Sequence, residues 1–254
     1  MGLLSPLSSR LRAEQFGREF RHVNGKIRPG VAVHAQHLGL GDHIICNGLV
    51  RALSPRFKVM VLPVKAENLP AVRWMFSDLP NVQVQVVRRT NDPLYIADVF
   101  ARAGATALRS GRYSRQWYPL ERFDEAHYEL AGVPFEERWA SFKVPRDHDA
   151  EETVLRALAP NEPYIFVHHD PGRGFSIDET RLPRGVARVE PKPGVTDILF
   201  HYRKLIEGAA EVHCISSSFA HFLECAPSGR PQFLHRYPRQ DGTWSTWRNF
   251  QVLE

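Results

Sequence analysis

The sequence predicts an α/β fold of two half-size domains, each built on a parallel sheet and facing a common cleft. Short β-branched runs alternate with helical stretches from residue 31 onward, the pattern of strand–helix–strand crossovers. A polar run, Arg146-Asp147-His148-Asp149-Ala150-Glu151-Glu152, interrupts that alternation near its middle, after which it restarts. At 254 residues the chain is long enough to bury two modest cores in a compact molecule.

Val31–Ala35 reads as the first strand, followed by a helix over Asp42–Leu53 with Ile44, Ile45, Leu49, Val50 and Leu53 on one face. Phe57–Val64 is a second strand and Leu69–Phe76 a short helix behind Asn68. Asn81–Arg88 alternates as a half-exposed edge strand does. Pro93–Ala103 and Phe123–Leu130 read as helices, and Gly132–Arg146 shows little periodicity. In the second half Glu151–Leu158 is helical and Tyr164–His168 a buried strand. His169–Gly194 is irregular and rich in proline and glycine, a loop of the length that usually carries function. Thr196 is expected to cap a helix through Ile206; Glu211–Ile215 is a strand, Ser217–Cys225 a helix and Gln232–His235 a strand. The domain boundaries are therefore a basic arm at 1–30, a first domain at 31–146 and a second at 147–254.

Composition narrows the function classes. Hydrophobic residues make up 43% and charged residues 24%, ordinary for a globular protein. No apolar run reaches the roughly 20 residues a membrane-crossing helix needs, and the arm turns charged too early for a secretion signal. Three cysteines, Cys46, Cys214 and Cys225, lack paired spacing and read as reduced core residues, so a cytoplasmic location is expected. The net charge is +5, and most of the excess falls on Arg10, Arg12, Arg18, Arg21, Lys26 and Arg28. A local basic arm argues against a nucleic-acid face, which would spread further and interleave aromatics. It is either a solvated arm or a weak attraction to an anionic membrane surface or an acidic partner.

Three turns hold candidate chemistry. The first is Gly39-Leu40-Gly41-Asp42-His43: its glycines would let backbone approach a ligand, and its helix start favours negative charge. Asp42 is there either a helix-starting cap or a carboxylate held at the mouth of a cleft. The second is His168-His169-Asp170-Pro171-Gly172-Arg173-Gly174, where Arg173 between two glycines could reach a phosphate and suits bidentate contact. The third is Ser216-Ser217-Ser218, with His221 one turn on: three hydroxyls and free amides make a diphosphate cradle, or the serines merely cap the helix. Ligands of open α/β sheets bind beyond the carboxyl ends of strands, so the three turns are expected to face one cleft.

Other motifs are weaker. Gly39-Leu40-Gly41 begins a dinucleotide fingerprint, but Ile44 stands where its third glycine belongs and no P-loop lysine follows. Asp147-His148-Asp149 is a DxD triplet in a polar stretch rather than at a strand end. Twelve histidines show neither HExxH nor paired-cysteine spacing, so no metal site is expected.

At these residues the chain resembles GT-B-fold glycosyltransferases, the heptosyltransferase-like (family 9-like) group in particular. The family's first signature, a strand, a GD turn and a helix, corresponds to Gly39-Leu40-Gly41-Asp42 through Arg51-Ala52-Leu53. Its second, D-[ST]-G-x-x-H-x-A, corresponds to Ser216-Ser217-Ser218-Phe219-Ala220-His221-Phe222-Leu223, with serine in place of the Asp and the Gly. The serine core with Asp197 upstream also resembles the donor end of fucosyltransferases, where His168 to Arg173 would fill a His-x-Arg loop. The resemblance implies two Rossmann-like domains (GT-B-like) and transfer of a sugar from a nucleoside-diphosphate donor to a hydroxyl, with no metal or other cofactor. It implies Asp42 as the catalytic base, with His43 and His37 beside it. Gly39, Gly41, His168, Arg173, Asp197, Ser216, Ser217, Ser218 and His221 would bind the donor. The partners would be a nucleotide sugar and a glycan, lipid-glycan or protein acceptor. A non-catalytic sugar-nucleotide-binding or glycan-binding module of the same shape, or a related pyruvyl transferase or epimerase, are the alternatives.

Overall fold

A computed structural model of the chain describes residues 30–87, 93–102, 104–109, 123–238 and 245–254. The basic arm and its expected attraction to membranes lie outside the described residues. The chain divides between Lys143 and Val144 into two units, each holding one sheet.

Unit 1 carries a four-stranded sheet in the order β3-β2-β1-β4, with every neighbouring pair parallel. Its strands are β1 (Val31–Ala35), β2 (Val59–Val64), β3 (Val82–Val86) and β4 (Thr106–Arg109). β1 and β2 are almost wholly buried, as parallel strands covered on both faces must be. β3 is the half-exposed edge that its alternation predicts. Val33, Ala35, Val61, Ile96 and Phe100 form a core between this sheet and helix α4 (Pro93–Arg102).

The expected helix over Asp42–Leu53 is two helices, α1 (Leu40–Ile45) and α2 (Asn47–Leu53), broken at Cys46. The break has a specific cause. In an unbroken helix the Leu49 N–H would bond the Ile45 carbonyl, four residues back. Instead the Tyr128 hydroxyl inserts between them, donating to Ile45 O at 2.7 Å and accepting from Leu49 N at 3.3 Å. Tyr128 lies on α5 (Phe123–Ala131), so the break also fixes α5 against α1. Immediately beyond it, Gly48 meets the short helix α6 (Glu137–Ala140): a Cβ there would stand 1.9 Å from the Glu137 carbonyl oxygen. Arg51 locks the far end of α2, binding both Asp78 oxygens and the Met75 carbonyl.

Unit 2 carries a five-stranded sheet in the order β6-β5-β7-β8-β9, again parallel throughout. The strands are β5 (Tyr164–His168), β6 (Ala187–Val189), β7 (Val212–Ile215), β8 (Gln232–His235) and β9 (Gln251–Leu253). Helix α3 (Leu69–Met75) belongs to unit 1, and α7 (His148–Leu158), α8 (Arg203–Gly208) and α9 (Ser218–Cys225) to unit 2. The strands β4, β6 and β9 have no counterpart among the expected elements.

Two expectations are corrected here. The polar run at 146–152 does not interrupt the alternation but opens α7, whose N-cap is Asp147, accepting the Ala150 N–H at 3.0 Å. Arg146 is drawn in by Glu151 and Glu207, so this charge run is a folded network. Thr196 does not cap a long helix. Its hydroxyl accepts the Ile198 N–H at 3.1 Å and meets His201 Nδ1 at 2.9 Å, closing a local turn. A 3₁₀ turn, Leu199–Tyr202, then precedes α8.

Across the unit 2 sheet runs a chain of side-chain hydrogen bonds. Glu211 Oε2 meets His213 Nε2 at 3.1 Å, and His213 Nδ1 meets His235 Nε2 at 3.0 Å. His235 Nδ1 then meets the Tyr237 hydroxyl at 3.1 Å, which accepts the Asp178 N–H at 2.9 Å. Both histidines are buried, and burial lowers their pKa values, His235 to about 4. With both rings neutral the donors all point one way: Tyr237 O–H to His235, His235 Nε2–H to His213, His213 Nε2–H to Glu211.

Candidate functional site

In unit 1 the strand order reverses at β1, whose two neighbours are β2 and β4. The turn leaving the carboxyl end of β1 therefore stands at a topological switch point, where open α/β sheets bind ligands. That turn is the Gly39–Asp42 segment, and Gly39 is the N-cap of α1. Asp42 is not the cap; it sits in the first turn, with its carboxylate folded back over Gly39. A Cβ at Gly39 would lie 2.6 Å from Asp42 Oδ2. The missing side chain at Gly39 thus makes room for this carboxylate. Asp42 keeps 16% of its side chain exposed, and its Oδ1 faces His127 Nε2 at 3.8 Å.

His43, expected to be a second catalytic group, points inward and is 1% exposed. Its Nδ1 meets the buried Gln36 amide at 2.7 Å. Burial pushes its pKa down to about 4, outweighing the opposing pull of Asp42. His34, on β1, is held near 3 by burial, with His127 and His43 adding to the effect. His37 stands partly exposed, its ring centroid 6.3 Å from that of Phe123. The result is a buried polar cluster beside Asp42, made of His34, Gln36, His43 and His127, with the wholly buried ion pair of Arg138 and Asp124, the latter one turn before His127 on α5.

Sequence reasoning missed most of this cluster. The signal the sequence did hold is spacing: Asp124, His127 and Tyr128 lie three and four residues apart and so share one face of α5, a face that the structure buries.

In unit 2 the order reverses at β5, between β6 and β7. At the carboxyl ends of these three strands two side-chain bridges form. His168 Nδ1 meets Ser217 Oγ at 3.1 Å, joining β5 to the β7–α9 turn. His169 Nε2 meets Glu190 Oε2 at 3.1 Å, joining β5 to the end of β6. Burial lowers the His168 pKa to about 4, so near neutrality its ring is uncharged. Ser217 is the N-cap of α9, its hydroxyl accepting the Ala220 N–H; the capping role and a place at the switch point belong to the same residue. Ser216 and Ser218 flank it, all three partly exposed.

The remaining expected donor residues are placed less centrally. Arg173 lies on a tight hairpin closed by two backbone bonds between Asp170 and Phe175, with Gly174 at φ 82°. Its side chain is 62% exposed and pairs with Asp170 at 3.4 Å, so its reach comes from a rigid tip rather than a loose loop. Asp197 is exposed on the bend before the 3₁₀ turn. His221 is 8% exposed and stacks on Trp247, with ring centroids 5.0 Å apart. Gly41 falls in the first turn of α1.

No family model and no curated relative matches the chain. Among solved structures it is similar to the ADP-heptose lipopolysaccharide heptosyltransferase II of E. coli, with 14% identity, a TM-score of 0.54 and coverage of 88% of this chain and 90% of that one. It is similar to a family 9 glycosyltransferase of Veillonella parvula, with 11% identity, a TM-score of 0.53 and coverage of 90% and 86%. A third is TibC of enterotoxigenic E. coli, an iron-containing dodecameric glycosyltransferase, with 12% identity and a TM-score of 0.51. The match covers 87% of this chain but only 62% of TibC. The chain thus has the heptosyltransferase-like, family 9 α/β fold of two parallel sheets. Among the described residues no group of three His, Cys, Asp or Glu gathers that could hold a metal ion.

Proposed function

We propose that the chain is a glycosyltransferase that moves a sugar from a nucleoside-diphosphate donor to a hydroxyl acceptor. The observation that carries this reading is the position of the two motif turns. Gly39–Asp42 leaves the switch-point strand of one parallel sheet, and Ser216–Ser218 leaves a strand beside the switch point of the other.

Asp42 takes the proton of the acceptor hydroxyl as that oxygen bonds to the donor's anomeric carbon. The bond from that carbon to the diphosphate breaks, and its electron pair leaves with the phosphate oxygen. Unit 2 receives the growing negative charge with the free amides at the start of α9, the hydroxyls of Ser216–Ser218 and the guanidinium of Arg173. A transfer of this kind needs no divalent cation. His168 orients Ser217, and His43 supports the turn that holds Asp42. The acceptor is a glycan, lipid-glycan or protein hydroxyl, and the reaction is cytoplasmic.

The test is a melting-temperature screen against ADP, GDP, UDP and their sugars with a chelator present, followed by donor turnover. A nucleotide at 100 times its dissociation constant should stabilise by about 2.7 kcal/mol. Asp42→Asn should then keep nucleotide binding and lose roughly 10²–10⁴-fold in turnover. Turnover by Asp42→Asn at the original rate sinks the assignment of the base. No shift with any nucleotide sinks the whole reading, and binding without turnover leaves a non-catalytic module.

A further inference from the structure

The two oxygens of Asp42 have different surroundings. Oδ2 lies over Gly39, in the space a side chain there would fill. Oδ1 is buried and has no hydrogen-bond partner among the described residues. A carboxylate oxygen in that state is costly unless something donates to it during the working cycle. The group it faces is His127 Nε2, at 3.8 Å, and the His127 side chain is wholly buried.

His127 is held firmly in that place. Its neighbour Tyr128 threads a hydroxyl into the α1–α2 break, so α5 cannot slide past the turn that carries Asp42. One turn earlier on α5, Asp124 forms the buried pair with Arg138. The Phe123 ring meets the imidazole edge-on, with centroids 5.3 Å apart. Asp42 is the movable member of the pair, because it is partly exposed and sits on a short helix. Rotation of its carboxylate by about 1 Å would bring Oδ1 into hydrogen-bond range of Nε2, and such bonds commonly tighten only when substrate is bound.

We propose that His127 is the positioning residue for Asp42. Its Nε2–H closes on Oδ1, sets the plane of the carboxylate and leaves Oδ2 to take the acceptor's proton. The proposal rests on the reading of Asp42 as the base, but the contact itself can be tested without any turnover.

Two measurements test it. In the first, the protein is labelled with ¹⁵N-histidine, and the His127 ring signals, assigned by their loss in His127→Gln, are compared in the wild type and Asp42→Asn. The His127 Nε2 resonance should move; an unchanged resonance overturns the proposal whether or not the chain transfers sugar. In the second, donor turnover is measured for His127→Phe and His127→Gln with the most active of the ADP-, GDP- and UDP-hexoses. Phenylalanine cannot donate, so kcat should fall about 10- to 100-fold with the donor KM unchanged. Glutamine places an amide N–H near the same point and should recover most of the loss. A merely structural histidine would shift stability in both variants with no split between them, and equal kcat values for the two overturn the proposal. If neither variant folds, the His127 signals are assigned instead by through-bond correlation from the His127 backbone in uniformly labelled protein, and the Asp42→Asn comparison decides alone.

Discussion

Gly39→Ala separates the fold of the first turn from its chemistry. Gly39 has φ −71° and ψ 148°, a backbone any residue adopts. Alanine there is a poorer cap than glycine, but it also restricts the unfolded chain, so stability should change by less than about 1 kcal/mol. The new methyl would begin 2.6 Å from Asp42 Oδ2. Ordinary contact between such atoms is about 3.5 Å, so the carboxylate must retreat by nearly 1 Å. Misplacement of a reacting group on that scale costs about 10²-fold in rate. We therefore expect unchanged nucleotide affinity, a melting temperature within a few degrees of wild type, and kcat lowered by roughly two orders of magnitude. Gly172→Ala is the control, since a Cβ there has only Asp170 Oδ1 at 4.0 Å nearby. Wild-type turnover by a folded Gly39→Ala protein would refute the reasoning, because Asp42 would then not depend on the space that Gly39 provides.

Arg173→Ala should weaken diphosphate binding by about 1.5–3 kcal/mol, measured by calorimetry, with little change in stability, since its pairing with Asp170 is largely exposed. Gly48→Ala should destabilise unit 1 by about 3 kcal/mol in urea unfolding, because the obstacle 1.9 Å away is backbone and cannot swing aside. Acid should destabilise the protein well before its carboxylates titrate. The folded pKa of His43 is lowered to about 4 from 6.5, so below pH 6.5 the unfolded chain takes up a proton that the native state refuses. The loss grows as pH falls towards 4 and from this residue alone reaches about 2 kcal/mol at pH 5; a melting temperature flat from pH 7.5 to 5 would contradict it.

The parts of this fold legible in the sequence are those with local causes. The strands β1, β5 and β7 are apolar runs bounded by turns, and β3 announces its edge position by alternation. The two turns were legible as strand–helix junctions because glycine and serine favour helix starts, whether as caps or as close backbone approaches. What was hidden depends on distant partners. The break at Cys46 is made by a tyrosine 83 residues from Ile45, and no periodicity within α1 or α2 encodes it. Thr196 looked like a cap because capping residues and turn-closing residues are chemically the same. The strands β6 and β9 exist because a neighbouring strand offers them hydrogen bonds, which propensity over three residues cannot reveal. His127 escaped notice because its meaning lies in what faces it.

The one-way hydrogen-bond chain through His213 and His235 limits how this sheet can vary. Replacing His213 by leucine strands the His235 donor between two parallel strands. Replacing His235 strands the His213 acceptor, and either loss costs about 1–3 kcal/mol. Exchanging both for apolar residues removes donor and acceptor together, and so should be better tolerated than either exchange alone. Residues 213 and 235 should therefore tolerate change only as a couple, kept together or replaced together. Glu211, at the solvent end with 35% of its side chain exposed, is free to drift, because water can take its place as the final acceptor.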